Sequence, residues 1–379
     1  MNAKWTCWVA AALAVARSGD ASGADTIKIG VTAEMTGPNA ESGVYEVNGA
    51  TMALEEINKA GGVLGKQLEL KVEDTQSNNN GAVNALSRLA SEGNLVAVVG
   101  SVRSTQVQAM GPTIIKMGIP MMIGGTDSGL THAGNPWLFR CRPNDAYSAK
   151  VIAEFGVNTL GKKKWAIVHS TDAFGNGGKN NLTESLKALG VTPVLVQGFT
   201  SNTQDFTPVV LAIKQSGADV MATYIANSPD VGILSKQLRQ LGVTAPWIGS
   251  PSIASATALK LGQEALNGTY AIADFSPGAN PEATAYAQKY RDRFKVEPDF
   301  YSSWAYDAVH SLANAIKAKN STKPADLKAA FHAVKGYKGV EGTYQFDANG
   351  DGLHGYNIVK NDGGKIVWQK TIAFQPPKQ

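Results

Sequence analysis

Apolar runs that read as β-strands alternate with runs of helical spacing along almost the whole chain, and this alternation leaves few folds open. TIKIGVTA from Thr26, QLELKVED from Gln67, LVAVVG from Leu95 and IPMMIGG from Ile119 read as strands. Between them, Val44 to Ala60 (stopped by Gly61-Gly62), Ala82 to Ser91 and the segment after Gly100 have helical spacing. This is the βαβ rhythm of a parallel, doubly wound sheet. A second series begins after FRCRPND at Phe139: helix 147–160, strand KWAIVHS from Lys164, helix 178–189 and strand TPVLVQGF from Thr192. Helix 205–216, strand DVMATYIA from Asp219, helix 230–241 and strand PWIGS from Pro246 complete it. TYAIADF from Thr269 is extended, helices 282–295 and 302–319 follow, and the chain is β-rich from Tyr344. Two α/β lobes that share the chain through several crossings account for this order. Ligands of such sheets bind beyond the carboxyl ends of the strands, which for two lobes is the cleft between them.

The length of 379 residues, 43% of them hydrophobic and 17% charged, suits two domains. The first residues read as a leader: Lys4, an apolar run from Trp5 to Ala16, then small residues up to Ala24. That run is too short to span a bilayer and fits a secretory signal comprising residues 1–24, cut near Ala24. Removal of Lys4, Arg17 and Asp20 with it leaves 33 basic side chains against 30 acidic, a net +3. This balance is too even to indicate nucleic acid or a polybasic membrane surface. Only Cys141 remains after export, so no internal disulfide is expected. The reading is an exported protein without a cofactor.

Catalytic and metal motifs are weak. His132, His169, His310, His332 and His354 never take the i, i+4 spacing of a helical metal pair. FDANGDG from Phe346 imitates a calcium loop but has Ile358 where the bidentate glutamate belongs, and reads as a hairpin turn. There is no G-x-S-x-G elbow and no Walker loop, and FGNGGK from Phe174 lacks the full dinucleotide spacing. No nucleophile, base and orienter assemble, so binding is favoured over catalysis. The competing enzyme reading is a small exported hydrolase using Ser104 with His132 or His169, which would need one of them within hydrogen-bond reach of that serine. A sensory ligand-binding lobe is disfavoured for want of a transmembrane segment. In VVGSVRSTQ, Ser104 follows a strand and a glycine turn at the start of a helix, with Arg103 before it as a solvated residue. Ser104 either caps that helix or also offers its hydroxyl and the adjacent amides to an anion.

The segment GVTAEMTGPNAESGVYEVNGATMALEEINKAGGVLGKQLELKVEDT resembles the opening of the leucine/isoleucine/valine-binding proteins, with T-G-P, N-G-A and A-x-x-x-I-N-x-x-G-G as its signature. Further similarities in VVGSVRSTQ, IVHSTDAFGNG, DFTPVVLAIK and SWAYDAVHSLANAI extend it over the mature chain. These proteins are exported receptors of ABC importers with the type I fold of two lobes and three hinge crossings. The resemblance implies lobes of 25–141 with 273–348 and of 142–272 with 349–379. It implies a periplasmic, monomeric receptor that captures a small carboxylate such as a branched-chain amino acid and delivers it to an inner-membrane permease. Ser104 then matches the carboxylate-binding serine, and Gly125 and Thr126 a backbone group and a hydroxyl beside it. Phe174 and Tyr301 match aromatic walls, Asn227 stands where a tyrosine approaches the ligand's amino group, and Ser42 where an aromatic is frequent. Two departures bear on the ligand. The acid that pairs with an ammonium should follow PWIG, but Ser250 and Pro251 stand there; Gln76 and Arg103 replace a cysteine pair. Either Asp127 supplies the missing carboxylate or it only forms the TDSG turn, and then the ligand is an aromatic, keto or fatty acid or an amide without an amine.

Overall fold

The computed structural model describes residues 26–375; the expected leader lies outside the described residues. In chain order the first half comprises β1 Ile27–Ala33, α1 Ala40–Lys59, β2 Leu68–Asp74, α2 Asn79–Ser91, β3 Leu95–Gly100, α3 Ser104–Met117, β4 Met121–Ile123, α4 Gly129–His132 and β5 Leu138–Pro143. A second run follows with α5 Asp145–Glu154, β6 Trp165–Ser170, α6 Ala173–Ala188, β7 Leu195–Phe199, α7 Thr207–Ser216, β8 Val220–Tyr224, α8 Ser228–Gln240, β9 Trp247–Gly249, α9 Ala256–Gly262 and β10 Tyr270–Ala273. Then come α10 Pro281–Phe294, α11 Phe300–Lys319, α12 Pro324–His332, the short strands β11 Tyr337–Lys338 and β12 Thr343–Tyr344, β13 Asp351–Leu353, β14 Gly355–Asp362 and β15 Lys365–Ala373.

Two large sheets result, in the orders β13-β5-β4-β3-β1-β2 and β15-β14-β10-β9-β8-β6-β7, beside a two-stranded sheet of β11 and β12. Apart from the β14 pairings with β10 and β15, the pairings within both are parallel. Because successive side chains point to opposite faces, Val99 joins the core beneath α1 and α11 while Val98 joins the one beneath α2 and α3. Val168 and Ile167 divide the two cores of the second sheet in the same way. The central strands of both sets are therefore apolar on both faces, which is why segments such as LVAVVG read as continuous hydrophobic runs. Helix α1 lies so close to α11 that a Cβ on Gly49 would stand 1.9 Å from the carbonyl oxygen of Ser302.

The chain passes between sheets after Pro143, after Ala273 and at His354. The third crossing is later than the expected 348/349 break, because Asp351 pairs with Arg140 and holds β13 beside β5. The expected hairpin at FDANGDG is a tight turn, with Gln345 N–H donating to Gly352 O at 2.9 Å and Asp347 Oδ1 accepting the amides of Asn349 and Asp351. Its outgoing strand joins the first sheet. The periodicity also missed α12, a short helix burying only Leu327, Ala330 and Phe331. It placed the start of α6 five residues late, since Asp172 accepts the Gly175 amide at 2.8 Å and opens the helix at Ala173.

Candidate functional site

A cavity of about 230 Å³ lies between the lobes at the carboxyl ends of both strand sets. The lobes meet around it: Ala173 N–H reaches Thr105 Oγ1, and Tyr301 Oη lies 3.2 Å from Ser228 Oγ. Of the residues singled out in the sequence, Ser104, Thr126, Phe174, Asn227 and Tyr301 line this cavity. Gly125, Asp127 and Ser42 do not.

The end of α3 forms one wall. Ser104 is the first helical residue rather than the cap, and Arg103 occupies the cap position with extended backbone and no capping side-chain bond. The reason lies in Ser101, whose hydroxyl accepts the Arg103 amide at 3.0 Å and donates to Gln106 Oε1 at 2.9 Å, fixing the turn one residue earlier. The amides of Ser104, Thr105 and Gln106 belong to the first turn and have no carbonyl four residues back, and all three residues face the cavity. Ser104 Oγ accepts the Asp127 amide at 3.1 Å, which leaves its own proton available to an acceptor in the cleft. Amides, hydroxyl and helix dipole together favour an anion.

The neighbouring loop explains the residues that fall outside. Gly125 lies so close that a Cβ there would stand 3.1 Å from the Cα of Ser104. Its N–H donates to Ser101 O and its carbonyl accepts from Arg140, so both backbone groups are committed within the lobe. Thr126 donates to Asp145 Oδ2 at 3.1 Å; burial pushes Asp145 up to about 7, with Asp127 adding to the rise. Asp127 Oδ1 accepts the Gly129 amide at 2.7 Å, closing the turn, and its other oxygen lies against Gly177 of the second lobe. Ser42 donates to Asn39 O and accepts from Arg103, facing an adjoining cavity.

From the second lobe, Phe174 packs edge-on against Tyr224 with ring centroids 5.8 Å apart, and Asn227 donates to Asn202 Oδ1. Ser250 is buried with its hydroxyl 3.0 Å from that of Ser252, so this position supplies no carboxylate. Asp172 does: it lines the cavity while accepting Ser201 Oγ at 3.1 Å. Two arginines also reach the wall. Arg142 forms a buried ion pair with Asp274, donates to Gly124 O at 3.0 Å and lies 4.5 Å above the Phe300 ring. Arg103, expected in solvent, has a side chain only 12% exposed. Behind it, burial pushes Glu34 above the ordinary carboxylate range despite the nearby guanidinium, and Glu46 well above it. Asp172, Arg103 and Arg142 were missed as wall residues, although two signals were present. Asp172 stands in cap position before a helix that follows a strand, and Arg140 and Arg142 recur at i, i+2 in an otherwise apolar strand.

Neither histidine of the hydrolase reading lines the cavity. His132 lies 3.6 Å from Asp351, and His169 Nδ1 pairs with Ser170 O.

Asp299 ties the cavity wall at Tyr301 to the second lobe. It accepts the Tyr301 amide at 2.9 Å and the Ala256 amide of the other lobe at 3.2 Å, and burial pushes it up to about 7. Unfolded, it would titrate near 4. Between these values the folded chain holds a proton that the unfolded chain has lost. Stability therefore falls as pH rises through this window, by at most about 1.4 kcal/mol per pH unit from this group, and levels off above 7. Melting curves of wild type and Asp299→Asn between pH 5 and 8 should differ in slope, the variant being flatter; equal slopes would refute the assignment.

The family model of the periplasmic binding proteins matches residues 26–365. The chain belongs to the periplasmic binding protein family. Among relatives, it is 31% identical to an amino acid binding protein of Pseudomonas aeruginosa over 334 residues, 86% of this chain and 87% of that one. It is 28% identical to Leu/Ile/Val-binding protein homolog 1 of Brucella melitensis over 93% of this chain and 94% of the relative. The solved branched-chain amino acid substrate-binding protein LivJ of Streptococcus pneumoniae, in complex with isoleucine, superposes with a TM-score of 0.84 at 27% identity, covering 92% and 99% of the two chains. As a member of this family the protein is a substrate-binding protein and not an enzyme. Among the described residues, no helix is long and apolar enough to cross a membrane, and no group of three His, Cys, Asp or Glu could hold a metal ion.

Proposed function

We propose that this periplasmic binding protein captures a small amino acid with an apolar side chain in the inter-lobe cleft and presents the closed form to an ABC permease. One observation carries the reading: opposite walls of a single cavity offer an anion site at Ser104 and a carboxylate at Asp172, with Phe174, Ile225 and Tyr301 also lining it. A carboxylate, an ammonium and an apolar body each have a partner there. Asp172 thus takes the duty for which Ser250-Pro251 has no group and which Asp127, outside the cavity, does not perform. The relatives that bind amino acids support the same class. Because the ligand contacts both lobes, its affinity for the closed state exceeds that for the open one, which is what hinge closure requires.

A second reading rests on Arg103 and Arg142, since two guanidinium groups on the wall suit an aromatic or keto acid without an amine. A thermal-shift screen of leucine, isoleucine and valine beside such acids decides between them. The amino-acid reading expects stabilisation by the three amino acids and its loss in Asp172→Asn. Stabilisation only by acids without an amine would transfer the protein to the second reading. An unchanged radius of gyration at ligand saturation would count against closure.

A further inference from the structure

Arg103 stands between two cavities. It lines the cleft, and it also lines an adjoining cavity of about 190 Å³ bounded by Pro38 and Ser42 of the first lobe and by Ser228, Pro229 and Thr257 of the second. Of the residues around them, only Asn39 is a wall of both besides Arg103.

The guanidinium is fixed from several sides. It donates to Ser42 Oγ at 3.2 Å on its own lobe and to the carbonyl of Ala226 on the other. It lies 5.7 Å from the centre of the Tyr301 ring, and its Nε is 3.8 Å from the fully buried carboxylate of Glu34. An arginine bonded to both lobes, set near the face of an aromatic ring and backed by a carboxylate is a stiff wall; a lysine or a solvated arginine would not be. We infer that Arg103 is a specificity-determining residue that limits ligand length by closing the cleft off from the adjoining cavity. A ligand held at Ser104 fills the cleft up to the guanidinium. To extend further it must break contacts to both lobes, and so oppose the closure that binding requires. Beyond the wall there is room for several more methylene groups. This inference rests on the reading of the cleft as a site for small carboxylates.

The test is a chain-length series: straight-chain amino acids from alanine through norvaline and norleucine to the eight-carbon homologue, with the matching acids from propionate to octanoate. Affinities are measured by calorimetry on wild type and Arg103→Ala. In wild type, each buried methylene tightens binding about fourfold until the cleft is full, after which affinity falls. In Arg103→Ala the rise should continue for at least two further methylenes. Removing the guanidinium leaves Glu34 buried without its neighbour, so Arg103→Gln, with a shorter tip that still carries an amide donor, is measured alongside and should show the same shift if the alanine variant does not fold. A maximum at the same length in the variants as in wild type, with all members weakened by a similar factor, would overturn the inference and leave Arg103 as a lobe-to-lobe contact. If no member of either series binds wild type, the reading of the cleft itself fails, and the inference with it.

Discussion

Arg142→Met should destabilise the protein by about 3–5 kcal/mol, as expected when one partner of a buried ion pair is removed. The Arg142 and Asp274 side chains are 5% and 0% exposed, and the bond between them joins the end of β5 to the segment that follows β10. It therefore lies where the chain crosses between the sheets. Arg142 is the residue whose side chain ion-pairs with Asp274, so its loss strands a carboxylate near Glu341, whose own carboxyl burial already pushes well above the ordinary range. The cost arises from the stranded charge more than from the lost contact. For that reason Arg142→Met combined with Asp274→Leu should recover much of the stability. Denaturant titration of the two single variants and the double variant measures this as a cycle. A double variant no more stable than Arg142→Met would show that packing against Phe300 and the bond to Gly124, rather than charge, is what Arg142 supplies.

Ser104→Ala should weaken binding by about 1.5–3 kcal/mol, the usual worth of a hydrogen bond to a charged group in a desolvated site. Folding stability should change less, because Ser104 does not cap its own helix and loses only the bond from the Asp127 amide. Calorimetric titration with leucine and a melting curve on the same variant separate the two effects. A fall in melting temperature with affinity unchanged would assign the hydroxyl to holding the 124–129 loop and leave the amides of α3 as the whole anion site.

Much of the architecture was legible because it depends on local regularities. Continuous apolar runs such as LVAVVG and helical runs such as the segment after Gly100 define the strands and helices, and their alternation requires a parallel sheet. Ser104 could be placed at the cleft for a related reason, since a residue just past a strand's carboxyl end faces the ligand side of such sheets, whereas Phe174 and Tyr301 were placed there by the family resemblance. What the sequence could not decide was the fate of charged side chains. Arg103 next to a turn is ordinarily solvated, and Asp172 is ordinarily only a cap. Arg103 is buried because the second lobe brings the Ala226 carbonyl over it and α11 brings the Tyr301 ring beside it. Asp172 becomes a wall because the second lobe packs its helix α6 against α3 of the first, with Ala173 N–H at Thr105 Oγ1. Asp127 lies one residue from Thr126 yet outside the cavity, since a bond to the Gly129 amide two residues on closes its turn. A side chain's period along an element is encoded by its neighbours in sequence, whereas the burial and partners of a residue such as Arg103 depend on atoms distant in sequence, Ala226 lying 123 residues on, and only the tertiary structure brings those together.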